Sequence, residues 1–163
     1  WTTDVVLTPF KGFMFHGLFT IQDPKYKNFN INATFADGTS KEYSFTDKMT
    51  TGVSKFILEL DPSYSFDKFR VWASFRYQSK QYINKTNSLY FNGRWETFAG
   101  VNYALNKHVD LGVNFVNLFN EKGASGSIGA ADLIEDVSGY QNYLMAGSYI
   151  RPFTVEFAAK INF

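Results

Sequence analysis

The segment RPFTVEFAAKINF (151–163) decides how the rest of the chain is read. Phe153, Val155, Phe157, Ala159, Ile161 and Phe163 fall on one side, and Thr154, Glu156, Ala158, Lys160 and Asn162 on the other. A period of two with one apolar row is the mark of a strand. Its length of about ten residues suits a tilted strand crossing a bilayer, which needs about 9–11. A strand of an ordinary sandwich stops after about 5–6. The aromatic at 163, on the apolar row, is better explained by a membrane edge than by a soluble core.

Composition agrees with interleaving. Hydrophobic residues make up 45% of the 163, yet mean hydropathy is −0.22. Aromatics reach 19%, with 18 Phe and 10 Tyr, a class suited to strands and to the two edges of a membrane. Sixteen Lys and Arg against 15 Asp and Glu leave a formal charge of +1, which gives no electrostatic case for nucleic acid. With no cysteine, disulfides and thiolate metal sites are excluded. No apolar run approaches the roughly 18 residues of a spanning helix, so a membrane location requires a closed sheet. Residue 1 is Trp, and neither a charged n-region nor an apolar h-region follows it. The expectation is a mature chain or a piece of a longer one.

The same alternation recurs upstream. Residues 12–22, 28–35, 53–66, 69–79, 90–105 and 108–119 read as strands, and with 151–163 they make about seven. Residues 1–10, with Pro9 and poor alternation, read as a loop or tail. The connections 23–27, 67–68 and 106–107 are short, whereas 36–52 and 120–150 are long. Asp37-Gly38 also permits a tight hairpin inside the first long one. Outer-membrane barrels show this asymmetry of short periplasmic turns and long outer loops. With the long loops outside, 12–22 and 151–163 both run toward the periplasm, and the C-terminus lies there. Closed bacterial barrels have even strand numbers. An odd count therefore predicts either an eighth strand within 2–10 or membership of a larger barrel.

Three stretches together resemble a known family. NSLYFNGRWETFAGVNYALNKHVDLGVNFVNLFNEKG (87–123) is similar to the penultimate hairpin of TonB-dependent outer-membrane receptors. Val116-Asn117-Leu118-Phe119-Asn120 matches the signature at the end of its last upward strand, and 151–163 resembles the closing strand. The Asn-rich entry at 84–87 and the 120–123 continuation look most like the SusC-like branch of Bacteroidota. The resemblance implies the C-terminal part of a 22-stranded barrel, with the plug domain absent from this chain. It also implies import of a large nutrient such as a glycan or peptide, energised by TonB through the plug. A SusD-like surface lipoprotein is the implied outer partner, outer-membrane lipid surrounds the wall, and the strand ending in Phe163 closes the barrel. No enzymatic activity and no cofactor are expected.

The site candidates follow from strand phase. Phe91, Trp95, Tyr103, Phe153, Phe157 and Phe163 read as lipid-facing anchors. Trp72 and Arg76 lie in the polar phase and are candidate lumen contacts for ligand, with packing under a loop as the plainer role for Trp72. Tyr140, Tyr143 and Tyr149 in the last long loop are candidate contacts for substrate or lid. His16 and His108 have no neighbouring ligand at metal spacing and read as polar strand-end or turn residues. Glu96 and Glu156 read as salt-bridging carboxylates paired with Arg94, Lys160 or a cross-strand neighbour, not as an acid/base pair. GASGSIG (123–129) opens no helix after a buried strand, so a phosphate loop is not indicated. Two other architectures compete: a complete eight-stranded barrel with a structural, adhesive or lipid-modifying role, which needs a strand within 2–10, and a soluble sandwich, which needs shorter strands.

Overall fold

The computed structural model describes residues 1–125, 132–138 and 148–162. Thirteen strands occur among them: β1 (Thr2–Leu7), β2 (Phe13–Ile21), β3 (Asn30–Thr34), β4 (Ser40–Ser44), β5 (Phe56–Phe66), β6 (Phe69–Gln78), β7 (Gln81–Tyr82), β8 (Tyr90–Phe91), β9 (Arg94–Asn106), β10 (Val109–Val116), β11 (Ala124–Ser125), β12 (Ser148–Tyr149) and β13 (Thr154–Ile161). Seven form one sheet in the order β1-β2-β5-β6-β9-β10-β13, every neighbour antiparallel. The other six make three small hairpins. The fold is all-β, as expected.

The count of seven survives through two compensating differences. Residues 2–7 form β1, paired with β2 from Thr2↔Thr20 to Leu7↔Phe15, and Pro9 falls in the turn beyond it. Residues 30–34 are not in the wall; β3 pairs with β4 as a hairpin of five residues a side. Alternation alone cannot separate these cases, because any half-buried hairpin alternates too. The Asp37-Gly38 turn closes that hairpin, with Gly38 at φ 81°. Residues 22–55 are therefore one long connection. As a result β2 runs opposite to β13, correcting the expectation that 12–22 and 151–163 share a direction. The short connections 8–12, 67–68 and 107–108 lie at one end of the sheet and the long ones, 22–55, 79–93 and 117–153, at the other.

The run 90–105 is also broken. It stops at Phe91 and resumes at Arg94, and at Gly93 between them a Cβ would stand 2.6 Å from the Tyr77 hydroxyl. Phe91, expected among the membrane anchors, belongs to the β7–β8 hairpin, outside the seven-stranded sheet. The last strand spans Thr154–Ile161, shorter than the alternation implied, and Phe163 lies outside the described residues. Pro62 sits inside β5, where the ladder to β6 passes from Leu60↔Phe75 to Ser63↔Trp72. Lacking an N–H, proline is tolerated at that gap. Among the described residues β1 pairs only with β2 and β13 only with β10, so the two do not close a ring.

Phase divides the sheet into two faces. One register row reads Phe13, Tyr64, Val71, Val101, Val113, Phe157 across six strands. The opposite face carries rows such as Trp72, Gly100, Asn114, Glu156. On the apolar face the rings gather at the two ends. Toward the short turns run Phe10–Phe13, Tyr64–Phe66, Phe66–Phe69 and Phe69–Tyr103, with centroids 4.6–5.5 Å apart. Toward the long loops run Trp1–Phe19, Phe19–Phe56, Phe56–Tyr77, Tyr77–Trp95 and Trp95–Phe119, at 5.0–6.4 Å. Between these belts the face is mainly aliphatic: Leu58, Leu60, Ala73, Ala99 and Val101. Along β5, Phe56 to Phe66 covers about 33 Å at ~3.3 Å per residue. At a tilt of about 40° that is roughly 25 Å, the height of the apolar band of an outer-membrane barrel.

Candidate functional site

Two places collect polar side chains: the polar face of the wall and the cluster of long loops. On the wall, Trp72 lies against Gly100, where a Cβ would meet the indole Cε2 and Nε1 at 2.6 Å and Asn114 Oδ1 at 2.7 Å. Gly100 is bare because two side chains cover it. The Trp72 indole N–H donates to Asn102 Oδ1 at 3.3 Å, which fixes the ring along the sheet. Further toward the long loops, Arg76 stands opposite both Glu59 and Glu96, its Nε 3.9 Å from Glu59 Oε2. Arg94 reaches Glu96 Oε1 at 3.4 Å and Gln78 Oε1 at 3.3 Å. Thus Glu96 pairs with Arg94, one of the partners expected. Glu156 pairs instead with Arg151, at 2.7 Å.

Trp72 and Arg76 share one face of one strand, as expected. Below them, at the short-turn end, a depression of about 470 Å³ is lined by Arg70, Lys68, Asn102, Asp110, Asn114 and Lys160. Tyr149 is 86% exposed on β12 and borders a separate depression of about 380 Å³ with Glu96 and Arg151. Tyr140 and Tyr143 lie outside the described residues.

His16 is not a strand-end residue. It sits within β2 on the polar face, with Nε2 3.0 Å from Asp4 Oδ1 and Nδ1 3.1 Å from Asp61 Oδ2. The ring joins β1, β2 and β5, and both of its nitrogens are occupied. No sequence signal announced this, because the partners are 12 and 45 residues away. Among the described residues no group of three acidic or His side chains is arranged to hold a metal.

Asparagines at left-handed turns organise the loops. Asn117 has φ 55° and is 4% exposed; its Nδ2 donates to the carbonyls of Glu121 (3.0 Å) and Arg151 (2.8 Å), and its Oδ1 accepts Glu121 N–H (2.8 Å). It therefore fastens both ends of the 117–153 connection. Phe119 then lies near Phe75 and Trp95 on the apolar face, and its N–H faces buried Thr97 Oγ1 at 3.3 Å. This accounts physically for the Asn-Leu-Phe run: a turn residue that also clamps, then a ring for the belt. Asn87 (φ 60°) similarly binds both the N–H and the carbonyl of Met49, at 2.6 and 2.9 Å. Asn84, fully buried, holds the 84–89 turn together.

Outside the seven-stranded sheet, Lys80 stands 4.6 Å over the rings of both Tyr82 and Tyr90. A hydrogen bond with Tyr82 raises its pKa above the ordinary lysine value. Glu135 raises that of Lys41 in the same way.

No protein-family model matches the sequence, and no curated protein is significantly similar to it. Solved structures are similar in fold. The siderophore receptor PiuA from Acinetobacter baumannii superposes with a TM-score of 0.76 at 15% identity, over 98% of this chain and 21% of that one. The closed form of the ferric-catecholate import receptor Fiu from K12 E. coli gives 0.66 at 21% identity, over 99% and 20%. The ferripyoverdine receptor of the outer membrane of Pseudomonas aeruginosa, bound to ferripyoverdine, gives 0.56 at 17%, over 99% and 19%. This chain spans about a fifth of the length of each. Its seven antiparallel strands have the fold of one section of an outer-membrane receptor barrel.

Proposed function

We propose that this chain is the C-terminal section of the barrel of a TonB-dependent receptor, set in a bacterial outer membrane with its C-terminus periplasmic. The observation that carries the reading is the pair of aromatic belts at the two ends of a mainly aliphatic face; for strands of this length at a tilt of about 40° their separation is roughly 25 Å, which fits the outer-membrane hydrocarbon. Trp95 belongs to one belt and Tyr103 to the other. Phe153 and Phe157, 46% and 82% exposed, face lipid with them. Trp72 and Arg76 line the lumen, where a flat ring beside a guanidinium suits a planar or sugar-like group. Tyr149 contacts ligand or a lid at the outer rim. A plug contributed by the rest of the receptor fills the lumen and contacts TonB. The protein moves a nutrient inward and performs no bond chemistry.

For the cargo, the names of the similar structures favour a ferric chelate. The Asn-rich 84–87 turn and the 120–123 continuation favour the SusC-like alternative, a glycan or peptide taken with a SusD-like lid. Uptake by the intact parent protein discriminates. Labelled ferric siderophore accumulating in a TonB-dependent way supports the first cargo, and growth on oligosaccharide or peptide supports the second. Recovery of the parent protein in the soluble fraction after membrane separation would overturn the transport reading altogether.

A further inference from the structure

The polar catch at residues 84–88 has a directionality. Asn84 Nδ2 donates to Thr86 Oγ1 and to Ser88 Oγ, each at 2.8 Å. Its Oδ1 accepts the Leu89 N–H at 3.0 Å. Because each hydroxyl oxygen already accepts from the amide, each hydroxyl hydrogen is left to donate outward. Both are directed at one atom, the Ile134 carbonyl oxygen, with Ser88 at 2.5 Å. Ammonium groups stand on either side: Lys85 pairs with Asp132, and Lys41 with Glu135 at 2.6 Å. The strap Asp132–Glu135 thus presents two carboxylates and a carbonyl to two hydroxyl donors and two cations.

The two hydroxyl hydrogens point at an oxygen and the groups on either side are cations, so the complement of the array is a group that carries acceptor oxygens and negative charge. Beside Thr86 and Glu135 lies a cavity of about 220 Å³, also lined by Lys48, Ser44 and Tyr43. Lys48 makes no ion pair within 4 Å among the described residues. The site therefore holds both room and unpaired cationic charge beyond what the strap uses. We propose that Thr86 and Ser88, oriented by Asn84 and flanked by Lys41, Lys48 and Lys85, form a binding site for a small dicarboxylate-type oxyanion, and that residues 132–135 fill it as an internal stand-in. An arriving oxyanion takes the same donors and frees the strap, so occupancy is coupled to the docking of the third long loop on the other two. The inference rests on these loop contacts and not on the transport reading.

The test follows amide hydrogen exchange of residues 132–136 in the intact protein in detergent, with sodium succinate titrated against sodium chloride at matched ionic strength. Succinate is expected to speed exchange of the strap by about tenfold, the effect of losing a hydrogen bond and an ion pair, while the wall strands stay protected. Chloride is expected to do much less. In the Thr86→Val, Ser88→Ala double variant the strap should exchange fast without any anion, and succinate should add nothing. Equal effects of succinate and chloride would reduce the site to screened ion pairs and overturn the proposal. So would a double variant that still responds to succinate, or one whose strap stays as protected as in the parent. Protected wall strands in the same measurement distinguish a lost catch from a failure to fold.

Discussion

The wall and the loop cluster reverse the usual places of inside and outside. Among the described residues the buried hydrophobic side chains are Tyr43, Phe45 and Met49, all in the 22–55 connection. The wall instead leaves Val71, Leu111, Val155, Phe157 and Ile161 at 40–82% exposure. Such a surface is unstable in water, and on the function proposed above lipid is the phase that completes it. The loop cluster is an ordinary small protein core, closed by ring packing and by asparagine side chains that satisfy loop backbone. The two regions should therefore fail under different insults, one to a change of packing and the other to a change of polarity.

The largest expected effect is in the loop core. Phe45 is 1% exposed and packs near Phe29 and Tyr43. Phe45→Ala should destabilise the loop cluster by about 3–5 kcal/mol, the range for emptying a buried aromatic site. Hydrogen exchange should show residues 22–55 losing protection while β6, β9 and β10 keep theirs. Loss of the wall along with the loops would mean that the two are one cooperative unit.

Next comes polarity in the wall. Val101 is central to the apolar row, whereas Asn102, its neighbour in sequence, faces the other way. Val101→Arg should cost about 2–4 kcal/mol of folding into bilayers, and Asn102→Arg well under that. Denaturant titration in phospholipid vesicles measures both. Equal costs would remove the assignment of faces. A smaller effect lies on the polar face, where Gly100→Ala places a methyl into Trp72 and Asn114. Overpacking of this kind costs about 1–3 kcal/mol, and Trp72→Ala in the same chain should recover most of it. Strict additivity of the two changes would show that the ring does not rest on Gly100.

The wall was largely legible and the cluster was not, for reasons that these same residues display. A strand with one apolar and one polar face records its environment at every second position, so 69–79, 108–119 and 151–163 announce themselves. β1 escaped because Thr2–Leu7 has three polar residues in six and leans on β2 for its definition. Residues 28–35 read as a wall strand because Phe29, Ile31, Ala33 and Phe35 alternate as well as any strand of the wall. Phe29, Ile31 and Ala33 are half-buried toward β4 and the loop core, Phe35 is 43% exposed, and the pairing that decides this is with β4 and not with the wall. The His16 clamp, the Asn84 catch and the grip of Asn117 on Arg151 all join residues distant in the chain. The Asn117 run is visible in the sequence, but the partners these side chains take are set by strand pairing and loop docking, which spacing along the chain does not record.

The smallest effect concerns acid, and its sign follows from one carboxylate. Asp23 bonds Lys55 at 2.8 Å and Lys25 at 2.9 Å, and these hydrogen bonds, Lys55 first, hold its pKa below the ordinary value. A group depressed on folding contributes its stability above the unfolded pKa, and the contribution is lost as pH falls through the folded one. Docking of residues 22–27 against Lys55 should thus be constant from neutrality to about pH 5 and weaken below about pH 4. Added salt should blunt the step, because all three groups are largely exposed. Asp37 and Asp136 are also depressed, by hydrogen bonds from Thr39 and Ser138. Those partners lie two residues away, so protonating either carboxylate loosens only its own turn, whereas Asp23 joins the start of the 22–55 connection to its end. Asp23→Asn should flatten the acid step in exchange at 22–27, and a step that persists in the variant would move the acid-sensitive group elsewhere in the loops.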